Sequence, residues 1–167
     1  MMSQQERAEI IALIKREVIP AIGCTEPIAV ALCTARAAEA LGCRPERLEV
    51  LLSANILKNA MGVGIPGTGM IGLPIAVALG ALIGRSEYQL EVLRDVTPEA
   101  VAEGRRFIDE KRISIALKEG IEEKLYIEVH ALGGGHGRDR RRTYDVRLCR
   151  ARRSGRVGPA AGLGRGG

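Results

Sequence analysis

The stretch best suited to chemistry runs from Ile22 to Pro27, Ile-Gly-Cys-Thr-Glu-Pro, a cysteine in a turn that opens an apolar helix. Pro27 lacks a backbone N–H and has a φ near the helical value, so it is best tolerated in the first turn of a helix. Either Thr25 or Glu26 is then expected to cap this helix. Cys24 precedes the helix N-terminus, where unpaired N–H groups and the positive end of the dipole favour thiolate over thiol.

Two interpretations of Cys24 are open from this local pattern. In one, it is a reactive, catalytic thiol. In the other, it is a small apolar residue packed beneath the turn, since cysteine is among the most frequently buried residue types. Cys33 and Cys43 fall in or just after the second helix and are predicted to be packing residues. The chain has no CxxC pair and shows no secretory leader, which favours a reduced cytoplasmic setting over a disulfide framework.

A second group of polar residues comprises Asn55, Lys58 and Asn59. Their spacing of three and four residues places them on one face of a helix. Apolar residues surround them, which suits a site that holds a carboxylate or an amide with a few well-placed donors. The alternative is an ordinary solvated helix face.

A glycine-rich loop follows from Gly62 to Gly69. Its glycines permit positive φ and close backbone approach, and such loops present N–H groups to anions. The loop does not have the spacing of a Walker A motif, and no good strand precedes it, which excludes a dinucleotide fingerprint. A plain connection between helices is the alternative.

The apolar periodicity predicts an α+β, helix-dominated fold. Only 2% of residues are aromatic, so the core is expected to consist of closely packed Ala-, Leu- and Ile-rich helices with a small β element. The predicted helices cover about 4–18, a second run ending at Leu41, 55–61, 71–83, 86–93 and 98–110. The predicted strands cover about 48–53, 112–117 and 124–131, the last two joined through Gly120.

No charged residue occurs between Ala60 and Gly84, and about 20 apolar residues suffice to cross a membrane. Glycine and proline fill the first half of this segment, however. The continuous apolar part, Ile71 to Ile83, has only the length of a buried core helix. We therefore predict no membrane association.

The basic charge of the chain belongs to its C-terminal part. Residues 131–167 contain ten arginines and two aspartates, whereas residues 1–130 contain 15 basic and 18 acidic residues. We predict an N-terminal domain over 1–132 and a disordered Arg/Gly-rich tail over 133–167. The tail is either a nucleic-acid-binding segment, for which it has few aromatic residues, or the product of a shifted reading frame in GC-rich codons. Nucleic acid is the less favoured partner.

Three motifs together resemble the L-cysteine desulfidase and serine dehydratase alpha-chain-like family: Gly23-Cys24-Thr25-Glu26-Pro27, Asn55-Ile56-x-Lys58-Asn59 and Val63-x-Ile65-Pro66-Gly67-Thr68-Gly69. The resemblance covers about residues 8–130, the N-terminal third of a longer enzyme. It implies an iron–sulfur lyase that converts a small L-amino acid, cysteine or serine, to pyruvate and ammonia, with sulfide released from cysteine.

The resemblance also implies roles for individual residues. Cys24 would be catalytic, and the substrate would be bound by Glu26, Asn55, Lys58, Asn59, Gly67 and Thr68. The family's 4Fe–4S cluster is ligated by cysteines in its C-terminal part, so this chain is expected to contain no metal ligands and to be inactive alone. A homo-oligomer is a further expectation. The alternative function is a non-catalytic binding module whose basic tail contacts nucleic acid.

Overall fold

Helix α2 and a mixed four-stranded sheet form the centre of the molecule. The computed structural model describes residues 2–18 and 21–133 together with the backbone of one further strand at 142–149. The elements in chain order are α1 Gln4–Glu17, α2 Thr25–Leu41, β1 Arg47–Leu52, α3 Ala54–Ala60, β2 Gly64–Ile65, β3 Met70–Ile71, α4 Leu73–Leu82, a 3₁₀ helix Ser86–Glu91, α5 Pro98–Asp109, β4 Ile113–Leu117, β5 Tyr126–Gly133 and β6 Arg142–Cys149. The predicted α+β, helix-dominated fold is confirmed.

The strand order in the sheet is β4-β1-β5-β6. Strand β1 is parallel to β4, with Leu48 opposite Ile113, and antiparallel to β5, with Val50 opposite Val129. The three strands predicted from the sequence are thus present. The two that follow each other in the chain, β4 and β5, are not neighbours in the sheet, because β1 lies between them.

Alternate residues of β1 and β5 face the helices, as expected for strands with one face against a core. This side of the sheet packs against α2, α4 and Phe107 of α5. The strand residues buried there are Leu48, Val50, Leu52, Ile127, Val129 and Ala131. A second apolar cluster lies on the other side of α2, against α4, the 3₁₀ segment and the start of α5. Helix α2 is therefore buried between two apolar clusters.

The contact between α2 and α4 is at backbone distance. A Cβ atom added to Gly80 of α4 would lie 2.5 Å from the backbone oxygen of Ala31 in α2. Only glycine allows this approach. The closely packed helices expected from a chain poor in aromatic residues are realised here.

Helix α1 begins as predicted. Ser3 Oγ accepts a hydrogen bond from the Glu6 backbone N–H at 3.1 Å, and Glu6 Oε2 accepts one from the Ser3 N–H at 2.7 Å, which completes a capping box. No residue of this helix is buried. Its apolar face is exposed to solvent.

Two of the predicted segments differ in the structure. The segment 86–93, predicted as a helix, forms a 3₁₀ helix interrupted at Gln89, whose φ of 50° and ψ of −122° are not helical. Part of the predicted disordered tail, residues 142–149, forms strand β6 against β5 because its backbone pairs in antiparallel register with that strand. The rest of the tail lies outside the described residues. Among the described helices, none combines the length and apolar character needed to cross a membrane.

We predict that Gly80→Ala destabilises the fold by about 1–3 kcal/mol, because the added methyl group overpacks the α2–α4 contact. In an exposed helix the same change would stabilise by up to about 1 kcal/mol, so the sign itself is diagnostic. Urea denaturation followed by circular dichroism measures the effect.

The matched control is Gly62→Ala, since a Cβ there meets no atom within 4 Å. Its free energy of unfolding is expected to stay within about 1 kcal/mol of the parent. Equal stability of Gly80→Ala and the parent chain would contradict the close α2–α4 packing.

Candidate functional site

Cys24 lies at the N-cap of α2, with φ −70° and ψ 135°, and its side chain makes no capping hydrogen bond. The expectation that Thr25 or Glu26 caps the helix was wrong, because the chain becomes helical one residue earlier. Pro27 lies in the first turn, as predicted. Gly42 ends α2 in the left-handed conformation, with φ 72°.

The side chain of Cys24 is exposed. The alternative that Cys24 packs beneath the turn is therefore wrong. Cys33 is buried, as predicted for a packing residue. Cys43 is exposed, contrary to the prediction, because it follows Gly42 after the chain has left the helix.

The Cys24 thiol donates a hydrogen bond to Glu26 Oε2 at 3.0 Å. This bond, followed by loss of solvent, raises the pKa of the thiol above its ordinary value. The backbone N–H groups of Glu26 and Thr25 act in the opposite direction but do not outweigh it. A thiolate was expected at this helix start. The structure corrects it, since the neighbouring carboxylate holds the proton on sulfur.

The Glu26 carboxylate has a second partner. Asn59 Nδ2 of α3 lies 3.5 Å from Glu26 Oε1, at the outer limit of a hydrogen bond. The pKa of Glu26 is lowered, first by the bond from Cys24, then by the backbone, and also by Asn59. Each carboxylate oxygen thus has its own donor, and the first two predicted motifs meet at Glu26.

Helix α3 is held in place by Ser53, which was not among the predicted site residues. Ser53 Oγ donates to the Lys124 backbone oxygen at 2.8 Å and accepts from the Tyr126 N–H at 3.3 Å. Its own N–H donates to the Tyr126 oxygen at 3.0 Å. The available signal was a serine at the junction between a buried strand and a polar helix.

Asn55 and Lys58 are exposed on α3, the helix that carries Asn59. Within the described residues, no hydrogen bond joins either side chain to Cys24 or Glu26. Asn59 is therefore the member of the predicted polar face that the structure brings into contact with the thiol–carboxylate pair. Lys58 supplies an exposed cation on the same short helix.

The glycine-rich loop contacts the cysteine turn. A Cβ atom added to Gly23, whose φ is +92°, would lie 2.8 Å from Pro66 Cγ, so glycine is required for this close approach. The loop itself is a small hairpin, with Ile65 opposite Met70 in the β2–β3 pair. The third predicted motif thus packs directly against the first.

The hydroxyl of Thr68 forms its hydrogen bonds within the loop. Thr68 Oγ1 donates to the Ile65 oxygen at 2.6 Å and accepts from the Met70 N–H at 2.9 Å, and the residue is 6% exposed. Gly67 has a φ of +76°. A Cβ atom added to it would lie 3.5 Å from Cγ1 of Val96. These residues shape the loop, and their predicted contact with a substrate stays a prediction.

The described residues do not fit an iron–sulfur cluster. They contain no group of three or more His, Cys, Asp or Glu side chains placed to hold a metal ion. Of the three cysteines whose side chains are described, Cys33 is buried in α2 while Cys24 and Cys43 are exposed. No chemical step is therefore assigned to a cluster on this part of the chain.

The chain is similar to several bacterial proteins. It is 77% identical over 134 residues to a UPF0597 protein of Bacteroides fragilis, 77% identical over 133 residues to one of Bacteroides thetaiotaomicron, and 50% identical over 135 residues to one of Oleidesulfovibrio alaskensis. These matches cover 80–81% of this chain but only 31% of each relative. No family model and no solved structure matches the chain.

These relatives correct the resemblance drawn from the three motifs. They are named UPF0597 proteins, a name that states no activity, and not L-cysteine desulfidases or serine dehydratases. The identification with the L-cysteine desulfidase and serine dehydratase alpha-chain-like family was therefore wrong. The three motifs nevertheless lie next to one another in the structure.

We predict that Glu26→Gln increases the rate at which iodoacetamide alkylates Cys24 at neutral pH severalfold. The neutral amide removes the main cause that raises the thiol pKa, so a larger thiolate fraction is present. Site-resolved mass spectrometry measures the rate for Cys24 relative to the exposed Cys43 of the same molecule.

The matched control is Glu99→Gln, which neutralises a carboxylate in the first turn of α5 instead of α2. It should leave the ratio of the two alkylation rates unchanged. A ratio that stays constant or falls in Glu26→Gln would show that the carboxylate does not hold the thiol proton.

Proposed function

We propose that this chain forms the thiol-bearing part of an enzyme that removes the α-proton of a small L-amino acid and eliminates its β-substituent, giving pyruvate and ammonia. The observation that carries the proposal is the exposed Cys24 thiol at 3.0 Å from the Glu26 carboxylate, at the start of a buried helix. The proposal rests on this geometry and not on a family resemblance.

The thiol–carboxylate pair supplies the proton transfer that such an elimination needs. The Glu26 carboxylate, which is the ionised member of the pair, takes the proton from the α-carbon. The freed electron pair forms a double bond between the α- and β-carbons as the β-substituent leaves with its bonding pair. The Cys24 thiol gives its proton to the leaving group, Glu26 returns its proton to the sulfur, and the aminoacrylate isomerises to an imine that water converts to pyruvate and ammonia.

The polar face of α3 supplies the donors for such a substrate. In the proposal, the Lys58 ammonium pairs with the substrate carboxylate, because a compact cation on a flexible stem can follow a small anion. Asn55 contributes an amide donor beside it. Asn59 is already engaged with Glu26 and orients the base rather than the substrate.

The whole enzyme extends beyond this chain in the proposal, since the chain spans about a third of the length of the relatives it matches. Any iron–sulfur cluster would require ligands from outside the described residues. A cytoplasmic location belongs to the same proposal, because Cys24 and Cys43 are free, exposed thiols and a reducing compartment keeps them so.

We predict that a chimera of residues 1–130 of this chain and the remaining part of the Bacteroides thetaiotaomicron relative forms pyruvate from L-serine or L-cysteine. Cys24→Ser in that chimera should lower the rate at least about 100-fold, the typical contribution of a positioned proton-transfer group. Coupled lactate dehydrogenase measures pyruvate under anaerobic conditions.

The conservative control is Cys33→Ser, which removes a buried cysteine of the same helix. It should lower stability but leave the rate per folded molecule within a few fold. Absence of pyruvate from a folded chimera with every small L-amino acid tried, or equal rates for Cys24→Ser and the parent, would overturn the proposed function.

Substrate binding can be tested on the chain itself. We predict that L-serine slows alkylation of Cys24 by iodoacetamide and that L-serinamide does not, because the amide lacks the carboxylate that pairs with Lys58. Lys58→Gln should remove this protection, while Lys15→Gln, an exposed lysine of α1, should retain it. Equal protection by the acid and the amide would exclude Lys58 as the carboxylate partner.

A further inference from the structure

Helix α1 presents an apolar face that nothing in the described part of the chain buries. The side chains of this face are between 42% and 62% exposed; they are Ile10, Ile11, Leu13, Ile14 and Val18. A helix of 14 residues is marginal in water without tertiary packing against its apolar stripe. The face therefore needs a partner surface, and exposed apolar patches of this kind mark interaction sites.

We propose that the partner is α1 of a second copy of this chain, packed antiparallel in a twofold dimer. Four of these five apolar residues, Ile10, Ile11, Leu13 and Ile14, are arranged symmetrically about the level of Ala12, while Val18 lies beyond the last turn of the helix. An antiparallel pair centred there places Ile10 of one copy opposite Ile14 of the other, and Ile11 opposite Leu13. Such a self-complementary patch is what a twofold interface requires.

Two of the charged residues along the same face, Arg7 and Glu17, have matching symmetry. Arg7 lies seven residues before Ile14, and Glu17 lies seven residues after Ile10. Because seven residues are about two helical turns, both charged side chains lie on the same side of α1 as the apolar residues. Both are five residues from Ala12. The antiparallel arrangement therefore places Arg7 of each copy opposite Glu17 of its partner, whereas a parallel arrangement would place like charges opposite each other at both ends.

The existing contact of Glu17 does not prevent this pairing. Glu17 Oε1 accepts from Arg16 Nε at 2.7 Å, but the two side chains are 62% and 73% exposed. An exposed ion pair of this kind contributes little to stability and exchanges readily. One helix face per copy is also a small interface, so the dimer is expected to be weak and dependent on concentration.

The test is sedimentation velocity of the 167-residue chain from micromolar to millimolar concentration. Arg7→Glu and Glu17→Arg, each alone, place like charges opposite each other twice in the antiparallel dimer and should weaken it roughly tenfold. Both changes improve the interaction with the helix dipole, so lost association cannot come from a weaker helix. The double variant R7E/E17R should restore association to the parent level.

Mixing separates the two helix directions. A fluorescently labelled parent chain and the double variant R7E/E17R should each form their own dimers but not mixed dimers, because a mixed antiparallel pair has like charges opposite at both ends. A preference for mixed dimers would instead identify a parallel pair and overturn the proposal.

The apolar contact has its own matched pair of variants. Ile10→Lys places a charge in the interface and should abolish dimerisation, whereas Ala12→Lys lies on the opposite side of α1 and should not. A chain that stays monomeric throughout the concentration range overturns the proposal. So does a dimer that is unaffected by both Arg7→Glu and Ile10→Lys, since it must then use another surface.

Discussion

The backbone-distance packing of α2 against α4 is the constraint on which the rest of this structure depends. Gly80 allows α4 to approach Ala31 so closely that α2 becomes buried between the sheet on one side and the α4–α5 layer on the other. Because interiors are packed at crystal-like density, a helix held on both sides cannot rotate or slide by a residue. The position of its N-terminus, and hence of Cys24, follows from that packing.

The protonation state of Cys24 at the N-terminus of α2 is decided by Glu26, two positions later in the chain. A helix start alone lowers a thiol pKa, and the backbone N–H groups of Thr25 and Glu26 act in that direction. The Glu26 carboxylate at 3.0 Å has the larger effect and keeps the proton on sulfur. The same local sequence that suggested an activated thiolate therefore produces a hydrogen-bonded thiol, ready to exchange a proton rather than already deprotonated.

Local signals in the sequence predicted most of the helices and three strands, because caps and apolar periodicity act within one element. Strand order was not accessible, since the placement of β1 between β4 and β5 depends on contacts between distant segments. For the site, Glu26 and Asn59 were both predicted to contact the substrate, and the structure brings their side chains together, but this contact spans 33 positions and was not accessible from the sequence. Thr68 was assigned to the substrate through the family resemblance, whereas its hydroxyl is used by the loop itself, where it accepts from the Met70 N–H.

Two buried hydroxyls explain why the site elements keep their places although the site lies at the surface. Ser53, 3% exposed, fastens the start of α3 to β5, as Thr68 closes the loop that packs on Gly23. The Lys118 N–H donates to the Leu52 oxygen at 2.8 Å, so β4 and β5 both secure the end of β1 from which α3 starts. A buried hydroxyl left without its partners costs about 1–3 kcal/mol, so these tethers stay closed in the folded state. The sheet therefore fixes the position of Asn59, and Asn59 in turn helps to position Glu26 and the thiol.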